Sequence, residues 1–164
     1  MDARPLSSAC VLAVLLSVAA CAAAPERRNW FNDPFAQATL GLPGCPVPEE
    51  PLYTEAEMRA QAHYRAERGT SCWLAGNCPD SNAYRRDPET NARVVAAVRA
   101  AQTFDDTSVW VSTQRRFVYL QGCVRSAAQR DALSALARAQ EGVELVIDDL
   151  MVGTEGKPPY TVAH

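Results

Sequence analysis

Phe117-Val118-Tyr119-Leu120-Gln121-Gly122-Cys123-Val124 is the stretch that decides how this chain is read. Alternation puts Val118, Leu120 and Val124 on one face of a strand, with Gly122 in step, and Phe117, Tyr119, Gln121 and Cys123 on the other. The first face is core. The second, ordinarily solvated in a small sheet, carries two aromatics and a cysteine. What that cysteine does depends on the compartment.

The N-terminus speaks to the compartment. Residues 9–20, ACVLAVLLSVAA, form an apolar run of about twelve residues after a polar start holding Asp2 and Arg4. That is well short of the roughly 20 a membrane-spanning helix needs, and suits a secretory signal peptide over residues 1–20. The run ends in Val18-Ala19-Ala20-Cys21, which looks like a bacterial lipobox: an aliphatic residue, two small ones, then the cysteine that is diacylated. Cleavage among Ala22-Ala23-Ala24 by ordinary signal peptidase is the competing reading, and Cys10 precedes the apolar run instead of closing it. Residue 22 is Ala and not Asp, which by resemblance to sorted bacterial lipoproteins favours the periplasmic leaflet of the outer membrane.

Loss of the signal removes one acid and one base, so the mature chain stays near the −3 of the whole. No basic excess announces a nucleic-acid partner. Of six cysteines, Cys45, Cys72, Cys78 and Cys123 remain after the signal and the anchor are set aside. An even number in an oxidising compartment reads as two disulfides, with three pairings open. Zinc fits poorly, because five residues separate Cys72 from Cys78 and the nearest histidine, His63, lies on a helix. No metal and no cofactor is expected.

Residues 21–52 read as a lipid-anchored, proline-rich tether, extended and mobile at its start, with Pro25, Pro34, Pro43, Pro46, Pro48 and Pro51. Its aromatic cluster Trp30-Phe31-Asn32-Asp33-Pro34-Phe35 either docks on the folded domain or sits at the membrane interface. A helical, cysteine-containing extension follows over 53–86. Thr54 and Glu57 form a capping-box pattern, and Gly69 marks the end of a helix spanning 54–68. Met58, Ala62 and the stem of Arg65 share its thin apolar stripe. Ser71 to Pro79 then reads as a cysteine-bounded loop.

Residues 87–153 have a different texture. Asp87-Pro88-Glu89 starts a helix with Asp as cap, and Val94, Val95, Val98 and Ala101 stripe it. Val109–Val111 is a short strand, Ser112–Arg116 a turn, and 117–124 the strand quoted above. Ser126 and Gln129 open a second helix with Ala132, Leu133, Leu136 and Ala139 as its buried side. Gly142 ends it, and Val143–Val152 is the last strand. The fold class is therefore α+β, in the order αββαβ. Two helices cover one face of a three-stranded sheet, and a C-terminal tail occupies 154–164.

This order, with Gly122-x-Val124, Gly142-Val143 and Asp148-Asp149-Leu150, resembles the BON domain, a small module of bacterial envelope proteins. The resemblance covers about 65 of the 164 residues. It implies a BON-like sandwich that is not an enzyme, in a protein secreted or lipid-anchored. It also implies phospholipid binding, envelope integrity, stress response or periplasmic protein handling. The chain departs from the family pattern twice. It holds a single BON unit where many relatives carry tandem ones, and Ser112–Arg116 stands where the first hairpin often turns on a glycine-containing pair.

Catalytic constellations are not evident. His63 and His164 are the two histidines, and His164 ends the sequence given. Asp105-Asp106 fits a loop and Asp148-Asp149 the polar positions of a strand. Cys72 and Cys78 lack the Cys-x-x-Cys spacing of a tuned thiol, so they read as structural. The basic doublets are the binding candidates. Arg115-Arg116 on the hairpin would fork onto phosphate, and Arg27-Arg28 lies within reach of anionic headgroups, where each charge contributes on the order of 1 kcal/mol. Arg85-Arg86 precedes the first BON helix. The expectation is a lipid-anchored envelope protein that binds anionic phospholipid or an envelope partner, or acts as an assembly accessory. Trp110, Phe117, Tyr119 and Cys123 on the second sheet face need a cover, and the 54–78 helix and loop are expected to supply it through a disulfide to Cys123.

Overall fold

In a computed structural model describing residues 24–163, the quoted stretch is β3 (Phe117–Val124), an interior strand. It pairs antiparallel with β2 (Ser108–Gln114) and parallel with β4 (Leu145–Val152). The signal segment 1–20 and Cys21 lie outside the described residues. Val118, Leu120 and Val124 are fully buried, as is Cys123 on the opposite face. Both faces are therefore covered.

The sheet has four described strands, not three. β1 (Phe35–Leu40) arises inside the stretch expected to be a tether and pairs antiparallel with β2, giving the order β1-β2-β3-β4. The register shifts between Gln37 and Thr39, which leaves Ala38 as an extra residue on the bulged strand. Ala38 is buried in the core and Ala36 packs against it. Two alanines carry little hydrophobic pattern, but they let an edge strand lie close beneath a helix. The pairing also satisfies the free edge of β2.

Two helices cover one face. α2 (Asp87–Ala100) packs on β1 and β2, and α3 (Ala127–Arg138) packs on β3 and β4 and against α2. Val94, Val98, Leu133 and Ala137 are fully buried between them and the sheet. On α3 the buried stripe is Leu133, Ser134 and Ala137, with Leu136 partly covered and Ala132 and Ala139 exposed. Ser134 Oγ donates to Asp148 at 2.8 Å, which turns that side of the helix toward β4. Ser126 and Gln129, which open α3, form half of a capping box: Ser126 accepts from the Gln129 N–H, while the Gln129 side chain accepts from Arg125 N–H and donates to Asp106.

α1 (Glu55–Leu74) has the complete capping box, Thr54 with Glu57, but runs six residues past Arg68. Gly69 lies within it, and a Cβ there would stand 3.1 Å from Asn82 Oδ1. Glycine serves this helix as a point of close approach, not as its stop. Cys72 is therefore helical, and its partner is Cys78. Cys123 is joined to Cys45 instead of to the 54–78 segment, with the two Cα atoms 5.7 Å apart. Segments from both chain ends cover that part of the outer face. Cys123, Met151 and Tyr160 form a small buried cluster with Leu42, Cys45 and Val162 beside it. The C-terminal tail adds an isolated bridge, Pro48 to Val162.

β2 extends through Ser112, Thr113 and Gln114, so the turn shrinks to Arg115 and Arg116, with φ of 55° and 66°. Positive φ at both central residues is the two-residue hairpin geometry that Asn-Gly normally supplies. At the far end of the strand Gly122 has φ 122°, and a Cβ there would meet Ser108 O at 2.1 Å. Among the described residues no helix is long and apolar enough to cross a membrane.

Candidate functional site

Two arginines hold left-handed backbone at the β2–β3 turn because Asp87 pins them. The Arg115 N–H donates to Asp87 Oδ2 at 2.6 Å and the Arg116 N–H to Oδ1 at 2.7 Å. Asp87 is the first residue of α2, so the expected helix cap serves as a cap for the hairpin. The residue at the N-cap, Arg86, makes no side-chain cap bond. Burial pushes the Asp87 carboxyl up to about 6, while the two backbone donors pull it the other way.

From this turn the two guanidinium groups reach in opposite directions. Arg115 Nε donates to Arg68 O at 2.9 Å and Nη2 to Ser71 Oγ at 3.2 Å, tying the hairpin to α1. Arg116 Nε donates to Gly142 O at 3.2 Å, and Nη1 lies 3.0 Å from Cys78 Sγ and 3.4 Å from Glu144. Neither points freely into solvent as a phosphate fork would.

A second hub lies beside the first. Asp33 is buried and receives a two-pronged pair from Arg65, one prong being Nη1 to Oδ2 at 2.9 Å. The Arg65 guanidinium is sandwiched between Phe31 and Tyr84, 4.0 and 4.4 Å from the ring centroids. Tyr53 Oη and Gln114 Nε2 also donate to Asp33, at 3.3 and 3.1 Å. The aromatic cluster 30–35 therefore docks on the domain. α1 is attached through charge and π contacts more than through apolar area, and its remaining sides expose Tyr64, Trp73 and Leu74. The sequence signal for this hub was present in Asp33 among aromatics, but Arg65 read only as an apolar stem.

On the outer face a cleft opens between the strap 49–53 and the sheet. This cleft of about 320 Å³ is lined by Arg27, Glu49, Tyr53, Ser112, Gln114, Tyr119 and Gln121, among others. Its one cation is engaged: Arg27 pairs with Glu49 and donates to Leu52 O at 2.7 Å. Burial raises the Tyr119 phenol above its ordinary value, so it stays a neutral donor. The cleft offers hydrogen bonds and an aromatic floor, not net positive charge.

The other sequence candidates are dispersed. Arg28 stacks 3.6 Å over Trp30, and Arg85 and Arg86 both pair with Asp80. Asp148 accepts from Arg130 Nε at 3.0 Å and from Ser134, and burial followed by Asp148 raises the Asp149 carboxyl. Asp106 pairs with Arg125 at 2.8 Å. His63 lies on the open side of α1, 3.2 Å from Glu67. Among the described residues no three His, Cys, Asp or Glu side chains gather as a metal site. Every buried side-chain nitrogen or oxygen there has a hydrogen-bond partner.

Residues 86–154 match the family model of the BON domain, so the helix–sheet unit α2-β2-β3-α3-β4 is a BON domain. BON domains are generally associated with phospholipid or envelope-related binding. No curated protein and no solved structure gives a significant match to this chain.

Proposed function

We propose that this chain is a lipid-anchored, non-enzymatic protein of the bacterial envelope, held by acyl chains on Cys21 at the periplasmic side of the outer membrane. Its BON domain, with the extension folded onto it, is a binding module that supports envelope integrity. The BON match over 86–154 carries this reading. The candidate ligands are anionic phospholipid and an envelope partner protein.

One observation favours the partner protein. Arg27, Arg115 and Arg116 already bond groups of their own chain, and Arg28 covers Trp30. A headgroup phosphate would have to displace those contacts. α1, by contrast, leaves the neighbours Trp73 half exposed and Leu74 largely exposed, apolar surface that a partner could cover.

Flotation with vesicles tests the choice. The full chain carrying Cys21→Ala, which cannot be acylated, should float no better with anionic than with neutral vesicles at low salt. Salt-sensitive flotation with anionic vesicles alone would reverse the preference and restore the phospholipid reading. Fractionation of the wild-type chain with the soluble periplasm would remove the anchor.

A further inference from the structure

The two disulfides stand in different electrostatic surroundings. Cys45–Cys123 has one wholly buried sulfur-bearing residue, Cys123, and its neighbours are neutral. Cys45 Sγ lies 3.7 Å from Ser108 O and 3.9 Å from Tyr160 Oη. Cys72–Cys78 has a cation against it. Arg116 Nη1 is 3.0 Å from Cys78 Sγ and 3.6 Å from Cys72 Sγ.

Exposure does not separate the two bridges, since Cys72 and Cys78 are buried while Cys45 is partly exposed; what differs is that Cys72 and Cys78 each border a charged surface cleft. Cys72 lines a surface cleft of about 440 Å³ with Ser71, Asn77, Arg115, Arg116 and Glu144. Cys78 lines a second cleft of about 220 Å³ on the other side, with Asp80, Arg86 and Arg116. The bridge is thus the partition between two openings. Two arginines face the first opening, opposed by one carboxylate, Glu144, which already pairs with Arg116. An approaching thiolate meets net positive charge there.

We propose that, beside the binding role, Cys72–Cys78 is a redox-reactive bridge that exchanges stoichiometrically with a dithiol, with Cys72 as the attacked sulfur and Cys78 as the leaving thiolate. The roles follow from the distances. Exchange accelerates as the leaving thiol becomes more acidic, and a neighbouring guanidinium makes a thiol more acidic. Arg116 is nearer Cys78, so the electron pair is best received there.

In the first step a donor thiolate bonds to Cys72 Sγ, the Cys72–Cys78 bond breaks, and the pair leaves on Cys78 Sγ beside Arg116. In the second, the donor's other thiol attacks its own sulfur in the mixed disulfide and releases Cys72. The donor ends as a disulfide, and its two electrons and two protons reside on Cys72 and Cys78 as thiols. Spacing alone argued against this role. The Arg116 contact supplies what the missing Cys-x-x-Cys would have supplied.

The test uses the full chain with dithiothreitol as the dithiol, quenched by alkylation and mapped by peptide mass spectrometry. Cys72–Cys78 should open at least tenfold faster than Cys45–Cys123. Arg116→Met should slow that opening by about tenfold, and Arg116→Lys should recover most of it. The rate at Cys45–Cys123 in the same molecules reports any general loosening of the fold. With glutathione, the trapped adduct should sit on Cys72. Equal opening rates, an adduct on Cys78, or an Arg116→Met rate unchanged at Cys72–Cys78 would each overturn the assignment.

Discussion

On the helix side of the sheet, Val94, Val98, Val109, Val111, Val118, Leu120, Val124 and Leu133 are fully buried in one apolar cluster. On the other side, the strand positions Trp110, Tyr119, Gln121 and Cys123 meet loops, a tail and one thinly attached helix. The first side is held by area removed from water, which is undirected and cooperative. The second is held by discrete devices: a disulfide to Cys45, the Asp33–Arg65 pair, and the Arg115 bonds to α1, which the Asp87 clasp on the hairpin aims. A face built from area should fail everywhere at once. One built from clasps should fail locally, at the clasp removed.

The disulfides give the largest expected effect. Cys45–Cys123 spans 78 residues of sequence and Cys72–Cys78 spans 6. By loop-closure entropy the long bridge contributes roughly 4–5 kcal/mol and the short one roughly 2. Replacing Cys45 and Cys123 together by Ser should therefore cost at least twice as much stability, in denaturant titration, as replacing Cys72 and Cys78 together. Equal losses would mean that native-state packing, not the unfolded chain, sets both values.

Next comes the helix side. Leu120→Ala opens a cavity at a fully buried site and should cost about 3–4 kcal/mol. Every probe of unfolding should shift together. A transition that splits, with the outer loops unaffected, would contradict a single cooperative core.

Arg65→Ala should show the opposite behaviour. Removing one partner leaves Asp33 buried without its cation, a loss of about 3 kcal/mol where the break is complete. Its effect should stay local: hydrogen exchange should speed up across α1 while β2 and β3 amides keep their protection. Loss of protection in β3 as well would show that α1 is an integral part of the core and not a clasped addition.

The same division explains what could be read from the chain beforehand. The helix side was legible because valines and leucines repeat at helical and strand periods, so α2, β3 and α3 follow from Val94, Val98, Leu120 and Leu133. Even the outer face announced itself, since Cys123 and Tyr119 sit at positions that alternation places away from the core. The clasps were not legible. β1 hides in FAQATL because alanines at 36 and 38 give almost no periodic signal among prolines. Arg65 looks like any helical arginine until Phe31, Asp33 and Tyr84 are brought around it by contacts from distant sequence. Arg115 and Arg116 read as an exposed basic doublet because nothing local reveals that Asp87, almost thirty residues earlier, will hold their backbone.

That last clasp predicts the smallest effect and the most specific one. Asp87 is about 1% exposed and its folded-state value is pushed to about 6, against an ordinary 3.8. Between those values the folded protein holds a proton on Asp87 that the unfolded chain has released. Stability from this group therefore falls as pH rises through that window, and levels off above about 6. Asp87→Asn cannot titrate, so its melting temperature lacks this decline. Near pH 4 the protonated carboxyl, like the amide, offers the two N–H donors only one good acceptor, so the two proteins should melt close together. Above about pH 6, where wild type has lost this contribution, Asp87→Asn should be the more stable. A wild type that gains on Asp87→Asn as pH rises would mean the opposite balance, with the two backbone donors outweighing burial and the clasp working as a carboxylate.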